Sequence, residues 1–216
     1  MSDRPATEPR RVAAFDFDGT LTERDTLLPF LIEACGRAKV GAALTRVVPV
    51  AARARLGRSV GAVHHRDATK VRLLAELFAG RESAQVATAG ERYATTLDRR
   101  LRPDVAERVA WHRAEGHELV LVSASLLAYL EPFAPSLGFD HVIAVGLADD
   151  GRGRLTGEMT GPNVRGPEKE TRLRAWLGEG AAVELWAYGN SSGDRELLAM
   201  ADHPTWIGRA ARAAAR

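Results

Sequence analysis

Asp16-Phe17-Asp18-Gly19-Thr20 places two carboxylates two residues apart, directly after an apolar run. While the chain is extended, both side chains lie on one face. A turn after Asp18 can swing the second away from the first. Such a pair can divide the work of a nucleophile and an acid/base, and its oxygens suit a hard cation such as Mg²⁺. Gly19 lets the backbone approach a phosphate closely. The same pattern alone also describes an ordinary turn with an aspartate cap. Three further groups recur at similar places. Ser123 closes the apolar run LVLVS, where its hydroxyl and the following amide, that of Ala124, can hold a phosphate oxygen; a Ser there is also a plain helix cap. Lys169 opens a helical stretch after Gly166-Pro167, where a cation opposes the helix dipole unless an anion is near; it also reads as a surface lysine. Gly189-Asn190-Ser191-Ser192-Gly193-Asp194 follows ELWAY and offers oxygen ligands in a glycine-rich turn, or an ordinary loop and cap.

The elements that must position these groups alternate. Residues 11–17, 119–123, 142–145 and 184–188 read as strands, with a short edge strand at 206–208. Residues 103–115, 126–137, 168–177 and 194–201 read as helices, the second of them shortened or kinked by Pro132 and Pro135. Asp150-Gly151 marks a hairpin turn within residues 148–159. Between the first strand and the rest, residues 26–101 change character to Ala, Leu and Arg. Helices are expected there at 26–35, 40–56, 67–78 and 82–101, with Pro49 kinking or splitting the second. The order predicts an α/β fold: a Rossmann-like parallel sheet with helices on both faces, plus an inserted helical cap subdomain. The expected division is a disordered tail over 1–10, an α/β core over 11–25 and 102–208, a helical cap over 26–101 and a basic tail over 209–216. Ligands in such sheets bind beyond the carboxyl ends of the strands, where all four groups fall.

The pattern from D-x-D-G-T-L-T through Ser123, Lys169 and G-N-S-x-G-D resembles the haloacid dehalogenase superfamily, in its phosphoserine-phosphatase-like branch. The resemblance spans residues 12–208. It implies an Mg²⁺-dependent phosphatase that hydrolyses a small phosphomonoester through an aspartyl-phosphate. Asp16 would be the nucleophile. Asp18 would protonate the leaving oxygen and then activate water. Ser123, Ala124 and Gly19 would bind the phosphoryl oxygens, and Lys169 would neutralise them. The metal would be held by Asp16, the Asp18 carbonyl and Asn190, with Asp194 acting directly or one step removed. Most relatives carry Asp where this chain has Asn190, which implies weaker metal binding. Asp18 speaks for phosphatase chemistry, because dehalogenase relatives lack that acid. Residues 26–101 resemble the helical cap of this branch. Asp25 and Lys70 fall where phosphoserine phosphatases place substrate-recognising groups; each also reads plainly, Asp25 as a gate or helix cap and Lys70 as a surface residue.

Composition sets the remaining bounds. The chain has 216 residues and a net charge of +2, unevenly placed: ten Arg/Lys face two acids, Asp67 and Glu76, between residues 37 and 81. That segment attracts anionic ligands, and peripheral contact with lipid is open to it; it also reads as a solvated helical surface. It lacks the interleaved aromatics of a base-stacking surface, so no nucleic-acid partner is expected. The single cysteine, Cys35, reads as a small buried hydrophobe and excludes an internal disulfide framework. His64 and His65 read as solvated or structural. No signal-like or membrane-spanning run is present, and a cytoplasmic protein acting on a small anionic phosphorylated substrate is expected. Oligomeric state is open. Two other activities fit the same residues: transfer of the phosphoryl group to a sugar hydroxyl, as in a mutase, or phosphate-ligand binding without turnover.

Overall fold

The computed structural model describes residues 9–56 and 62–208, with side chains described outside 48–66. Both predicted tails, apart from residues 9 and 10, and the side chains of His64 and His65 lie outside the described residues. Five strands form one parallel sheet in the order β3-β2-β1-β6-β7: β1 (Arg10–Phe15), β2 (Glu118–Leu126), β3 (His141–Val145), β6 (Val183–Gly189) and β7 (His203–Trp206). Strand β1 is central, and Val12 to Phe15 are buried in succession, as a strand covered on both faces requires. Phe15 stacks on Tyr188 of β6 at 4.3 Å between ring centroids. Two short strands, β4 (Leu147–Asp149) and β5 (Leu155–Met159), form an antiparallel hairpin around the predicted Asp150-Gly151 turn.

Four helices follow β1: α1 (Leu27–Cys35), α2 (Arg37–Leu56), α3 (Ala62–Phe78) and α4 (Ser83–Ala94). The chain leaves and re-enters the sheet through one neck. Thr22 bridges Leu101, Glu23 N donates to Arg100 O at 3.0 Å, and Arg102 N donates to Leu21 O at 2.8 Å. The hairpin ties these helices to the sheet: Gly80 N donates to Leu155 O and Leu155 N to Arg81 O, each at 2.8 Å. Gly90 of α4 lies so close to α6 (Leu127–Leu137) that a Cβ there would stand 1.8 Å from the Ala128 carbonyl oxygen. Cys35 is buried, and Arg81 Nη1 contacts its sulfur at 3.3 Å.

Several element boundaries differ from the sequence reading. Helix α2 is one element through Pro49, and α6 runs through both Pro132 and Pro135. In α6 the buried face of Tyr129, Leu130, Phe133 and Ala134 holds the helix against the core, and packing outweighs the lost N–H groups. The helix expected over 82–101 ends at Ala94 and continues as a tight turn, Leu97–Arg100. The one expected from 194 begins with a turn at Ser192–Asp194 and becomes α8 (Arg195–Ala199). The edge strand lies earlier, at His203–Trp206, because its pairing partner is Trp186 to Gly189. The remaining helices are α5 (Pro103–Ala114) and α7 (Pro167–Leu177). Among the described residues no helix is long and apolar enough to cross a membrane.

Candidate active site

The direction of winding reverses between β1 and β6, and the crevice beyond their carboxyl ends is where an open α/β sheet binds its ligand. Asp16 is the first residue past β1. Its N–H donates to Tyr188 O at 2.9 Å, which extends the pairing by one residue and fixes where the side chain emerges. Thr20 Oγ1 donates to one carboxylate oxygen of Asp16 at 2.8 Å, and Lys169 Nζ donates to the other at 2.6 Å. Lys169, in the first turn of α7, also donates to Asp194 at 2.7 Å. All three charged groups are buried. One ammonium therefore serves two carboxylates, and the cluster carries one surplus negative charge.

Burial and the neighbouring charges together set the proton affinities. Burial pulls Lys169 down, yet the two carboxylates outweigh it and hold the ammonium above its ordinary range. Burial pushes Asp194 up, but Lys169 and the Ser191 hydrogen bonds win and keep it low. For Asp16, burial dominates; Lys169 opposes it, Asp194 repels, and its carboxyl is raised. A further cation beside Asp16 relieves that repulsion. The donors at hand are the Asp16 carboxylate, the backbone carbonyl of Asp18 and the amide of Asn190. Asn190 reaches the crevice: a Cβ on Gly19 would stand 2.0 Å from its Nδ2. These hard oxygen donors fit Mg²⁺, which keeps several of its waters. Among the described residues no three His, Cys, Asp or Glu side chains form a metal cage. Asp194 is fully engaged: its second oxygen accepts from Asn190 N, Ser191 N and Ser191 Oγ at 3.1, 2.9 and 2.9 Å. It shapes the loop and orients Lys169.

Asp18 lies in the wide helical turn Phe17–Leu21, whose sharp bend needs the left-handed φ of 81° at Gly19. The bend separates its carboxylate from that of Asp16. Thr26 N and Thr26 Oγ1 donate to its Oδ1 at 2.8 and 2.7 Å, and Ser125 Oγ donates to its Oδ2. Burial, joined by repulsion from Asp25, pushes the Asp18 carboxyl up to about 6, although Ser125 and Thr26 hold it down. Tyr129 OH stands 3.0 Å from Thr26 Oγ1, and Tyr93 OH donates to Thr26 O at 2.9 Å, so the residue beneath Asp18 is itself fixed.

Ser123 and Ala124 lie where β2 breaks step. Its pairing with β3 is regular to Val122 and resumes at Leu126 opposite Val145. Residues 123–125 are thereby set off at the crevice edge, and the strand extends past the point where the sequence reading ended it. Ser123 Oγ accepts from Ser125 N at 3.0 Å. The Ala124 carbonyl accepts from Lys70 Nζ.

Lys70, on α3, comes down from the helical segment onto the core. It also donates to Asn163 Oδ1 at 2.6 Å, and Asn163 Nδ2 donates to Asp67 Oδ1 at 2.7 Å. Burial lowers its ammonium to about 8, against the pull of Asp67, Asp18 and Asp25. Asp25 is exposed and accepts from Leu28 N at 3.2 Å, which caps α1; its charge is felt by both Asp18 and Lys70.

The structure thus gathers Asp16, Asp18, Gly19, Ser123, Lys169, Asn190 and Asp194 at neighbouring strand ends, with Lys70 entering from above and Asp25 at the rim. Thr20, Thr26, Ser125 and Asn163 were missed. Ser125 had a signal, since it stands two residues from Ser123 and shares its face of an extended chain. Asn163 had none, because its partners lie 93 and 96 residues away.

Comparison with known proteins agrees with this geometry. The family of haloacid dehalogenase-like hydrolases matches residues 13–199. Protein CicA of Caulobacter vibrioides is 34% identical over 206 residues, which cover 94% of this chain and 87% of that protein. A protein of unknown function from Bordetella pertussis Tohama I superposes with a TM-score of 0.73 at 26% identity, covering 96% of this chain and 95% of the other. A phosphoserine phosphatase solved as its phospho-aspartyl intermediate analogue superposes with a TM-score of 0.58 at 20% identity, over 90% of this chain and 84% of the other. That last likeness is one of fold.

Proposed function

The chain belongs to the haloacid dehalogenase-like hydrolases, and from that membership we propose that it is an Mg²⁺-dependent phosphatase acting on a small phosphomonoester. The observation that carries this reading is the buried Asp16–Lys169–Asp194 cluster beside a separately held Asp18. The Asp16 carboxylate attacks phosphorus, and the bond to the leaving oxygen breaks. Asp18 delivers its proton to that oxygen. Water then attacks the aspartyl-phosphate, Asp18 takes the water's proton, phosphate departs and the Asp16 carboxylate is restored. A carboxyl poised near 6 can serve in both directions. The Ser125 hydroxyl suits the exchange, because it donates to the ionised carboxyl and can accept from the protonated one. Lys169 steadies the nucleophile, and the Ser123 hydroxyl and Ala124 amide receive phosphoryl oxygens. Mg²⁺, held by Asp16, the Asp18 carbonyl and Asn190, would offset charge on the transferring group.

Residues 26–101 act as the cap over this site, and Lys70 and Asp25 face the leaving group. A solved neighbour described as a phospho-aspartyl intermediate analogue supports the intermediate by analogy of fold. The lone reduced-type cysteine is in keeping with action in the cytoplasm. The test is phosphate release from a panel of phosphomonoesters, with Mg²⁺ and with EDTA, by the wild type and Asp16→Asn. Release that needs Mg²⁺ and vanishes in the variant supports the reading. Turnover that survives Asp16→Asn rejects it.

A further inference from the structure

Among the described residues, two cations that reach the crevice, one from the core and one from the helical segment, are spent. Lys169 is bound to Asp16 and Asp194, and Lys70 to Ala124 O and Asn163. Arg165 differs. It lies just before α7, four residues ahead of Lys169, and its backbone is fixed on both sides: its N–H donates to Asn163 O at 2.7 Å, and Gly166 N donates to Gly193 O at 2.8 Å. Its side chain runs across Gly193, the neighbour of Asp194. A Cβ on Gly193 would stand 2.5 Å from the Arg165 Nε and 2.9 Å from its Cγ, so this glycine makes the room for the guanidinium. Among the described residues the side chain makes one long hydrogen bond, from Nη2 to Ser192 Oγ at 3.4 Å. Its Nη1 is buried and has no acceptor among them. Glu196 also has a buried, unpartnered oxygen, 3.7 Å from where a Cβ on Gly166 would stand, but no carboxylate among the described residues comes within 4.0 Å of the guanidinium nitrogens.

A guanidinium aligned along the loop that carries Asn190 and Asp194, with a buried N–H unmet, is set to receive a ligand oxyanion. Its planar fork suits a carboxylate or a phosphate, and a buried donor left without an acceptor is destabilising until a ligand supplies one. On that phosphatase reading, Lys169 and Ser123 would receive the scissile phosphoryl group, with Mg²⁺ held by Asp16, the Asp18 carbonyl and Asn190 offsetting its charge. We propose that Arg165 is a specificity-determining residue that binds a second anionic group, carboxylate or phosphate, on the substrate's leaving group. This rests on the phosphatase reading above and narrows its substrate class to phosphomonoesters with a further negative charge.

The test compares glycerol 3-phosphate with two relatives that add an anion to the same three-carbon frame, 3-phosphoglycerate and glycerol 1,3-bisphosphate. The readout is kcat/KM for each relative divided by that for glycerol 3-phosphate. In Arg165→Gln at least one ratio should fall roughly 10- to 100-fold, carried by KM, the range for one charge-assisted contact. The relative whose ratio falls identifies the anion as carboxylate or phosphate. Arg165→Lys should recover part of the loss, and Gly193→Ala, which leaves the charge but takes its space, should lower the same ratio. Unchanged ratios overturn the proposal. So does an equal loss on all three compounds, which would place Arg165 on the scissile group or in folding. A wild type that hydrolyses only glycerol 3-phosphate overturns it as well. A wild type inactive on every phosphomonoester sinks the phosphatase reading itself, a result distinct from those three.

Discussion

Two ammonium groups, one buried and one half-buried, meet the crevice from opposite regions of the molecule. Lys169, in the first turn of α7, belongs to the core and is held by two carboxylates, at 2.6 and 2.7 Å. Lys70 descends from the helical segment and is held by neutral oxygens, a backbone carbonyl and an amide. Both are largely desolvated, yet their proton affinities move in opposite directions, up for Lys169 and down to about 8 for Lys70. The difference is the partner's charge. A floor built on formal charges is rigid and cannot lose a member without leaving a bare ion. A segment joined through neutral acceptors can part from the core at lower cost, as the proposed cap would when substrate enters.

Exchanging each lysine for an apolar residue of similar length puts most strain on that contrast. Lys169→Met leaves Asp16 and Asp194 facing each other unpaired. Stability should fall by about 3–5 kcal/mol in urea unfolding, and phosphatase turnover by a factor of at least ~10³. Lys70→Met leaves neutral acceptors unmet, a cost of about 1–2 kcal/mol, and its kinetic effect should appear mainly in KM. Equal damage to stability from the two variants would break the comparison.

A second prediction contrasts these charged sites with a buried neutral one on the other face of the sheet. His112 is fully buried on α5, with Nδ1 at 2.7 Å from His117 Nδ1 and Nε2 at 2.8 Å from Tyr188 OH. Burial, aided by His117 and Arg108, lowers it to about 4. The unfolded chain, with an ordinary histidine near 6.5, takes up the proton first. The stabilisation is therefore complete above about 6.5 and is lost as pH falls toward 4, by up to about 3 kcal/mol. Unfolding midpoints at pH 7.5 and 5 should differ by less in His112→Gln than in the wild type. An equal difference would mean that other groups cause the acid sensitivity.

Smaller effects sharpen the picture. Ser125→Ala removes the hydroxyl donor to Asp18 and should lower kcat about 10- to 100-fold with little change in KM, as expected for a disturbed acid/base group. Steady-state kinetics decides it, and a loss confined to KM would assign Ser125 to binding instead. Least of all, Glu118→Gln breaks the part-exposed pair with Arg10 at 2.7 Å and should shift stability by under ~1 kcal/mol in urea titration.

The alternation of apolar strands and helical stretches, and the carboxylates, Ser123, Lys169 and Asn190 at their ends, were legible because strand ends in a parallel sheet share one edge whatever the loops between them do. Period and punctuation are local properties, and they carried β1, β2, β6 and the hairpin. Element boundaries were less legible where packing overrode local preference, as at Pro132 and Pro135 in α6. Asp25 takes its plain reading as a cap on α1, and its charge also reaches Asp18.

By itself the sequence determined which chemistry the chain could attempt: two acids in one turn, a lysine and an amide at matching places, and a helical segment to cover them. Only the tertiary structure decided how those groups are charged and held. The bond from Lys70 to Asn163, the Ser125 hydroxyl on Asp18 and the room that Gly193 leaves for Arg165 each join residues at least 28 positions apart. Proton affinity and hydrogen bonding depend on what is buried beside a group, and that is set by packing across the fold.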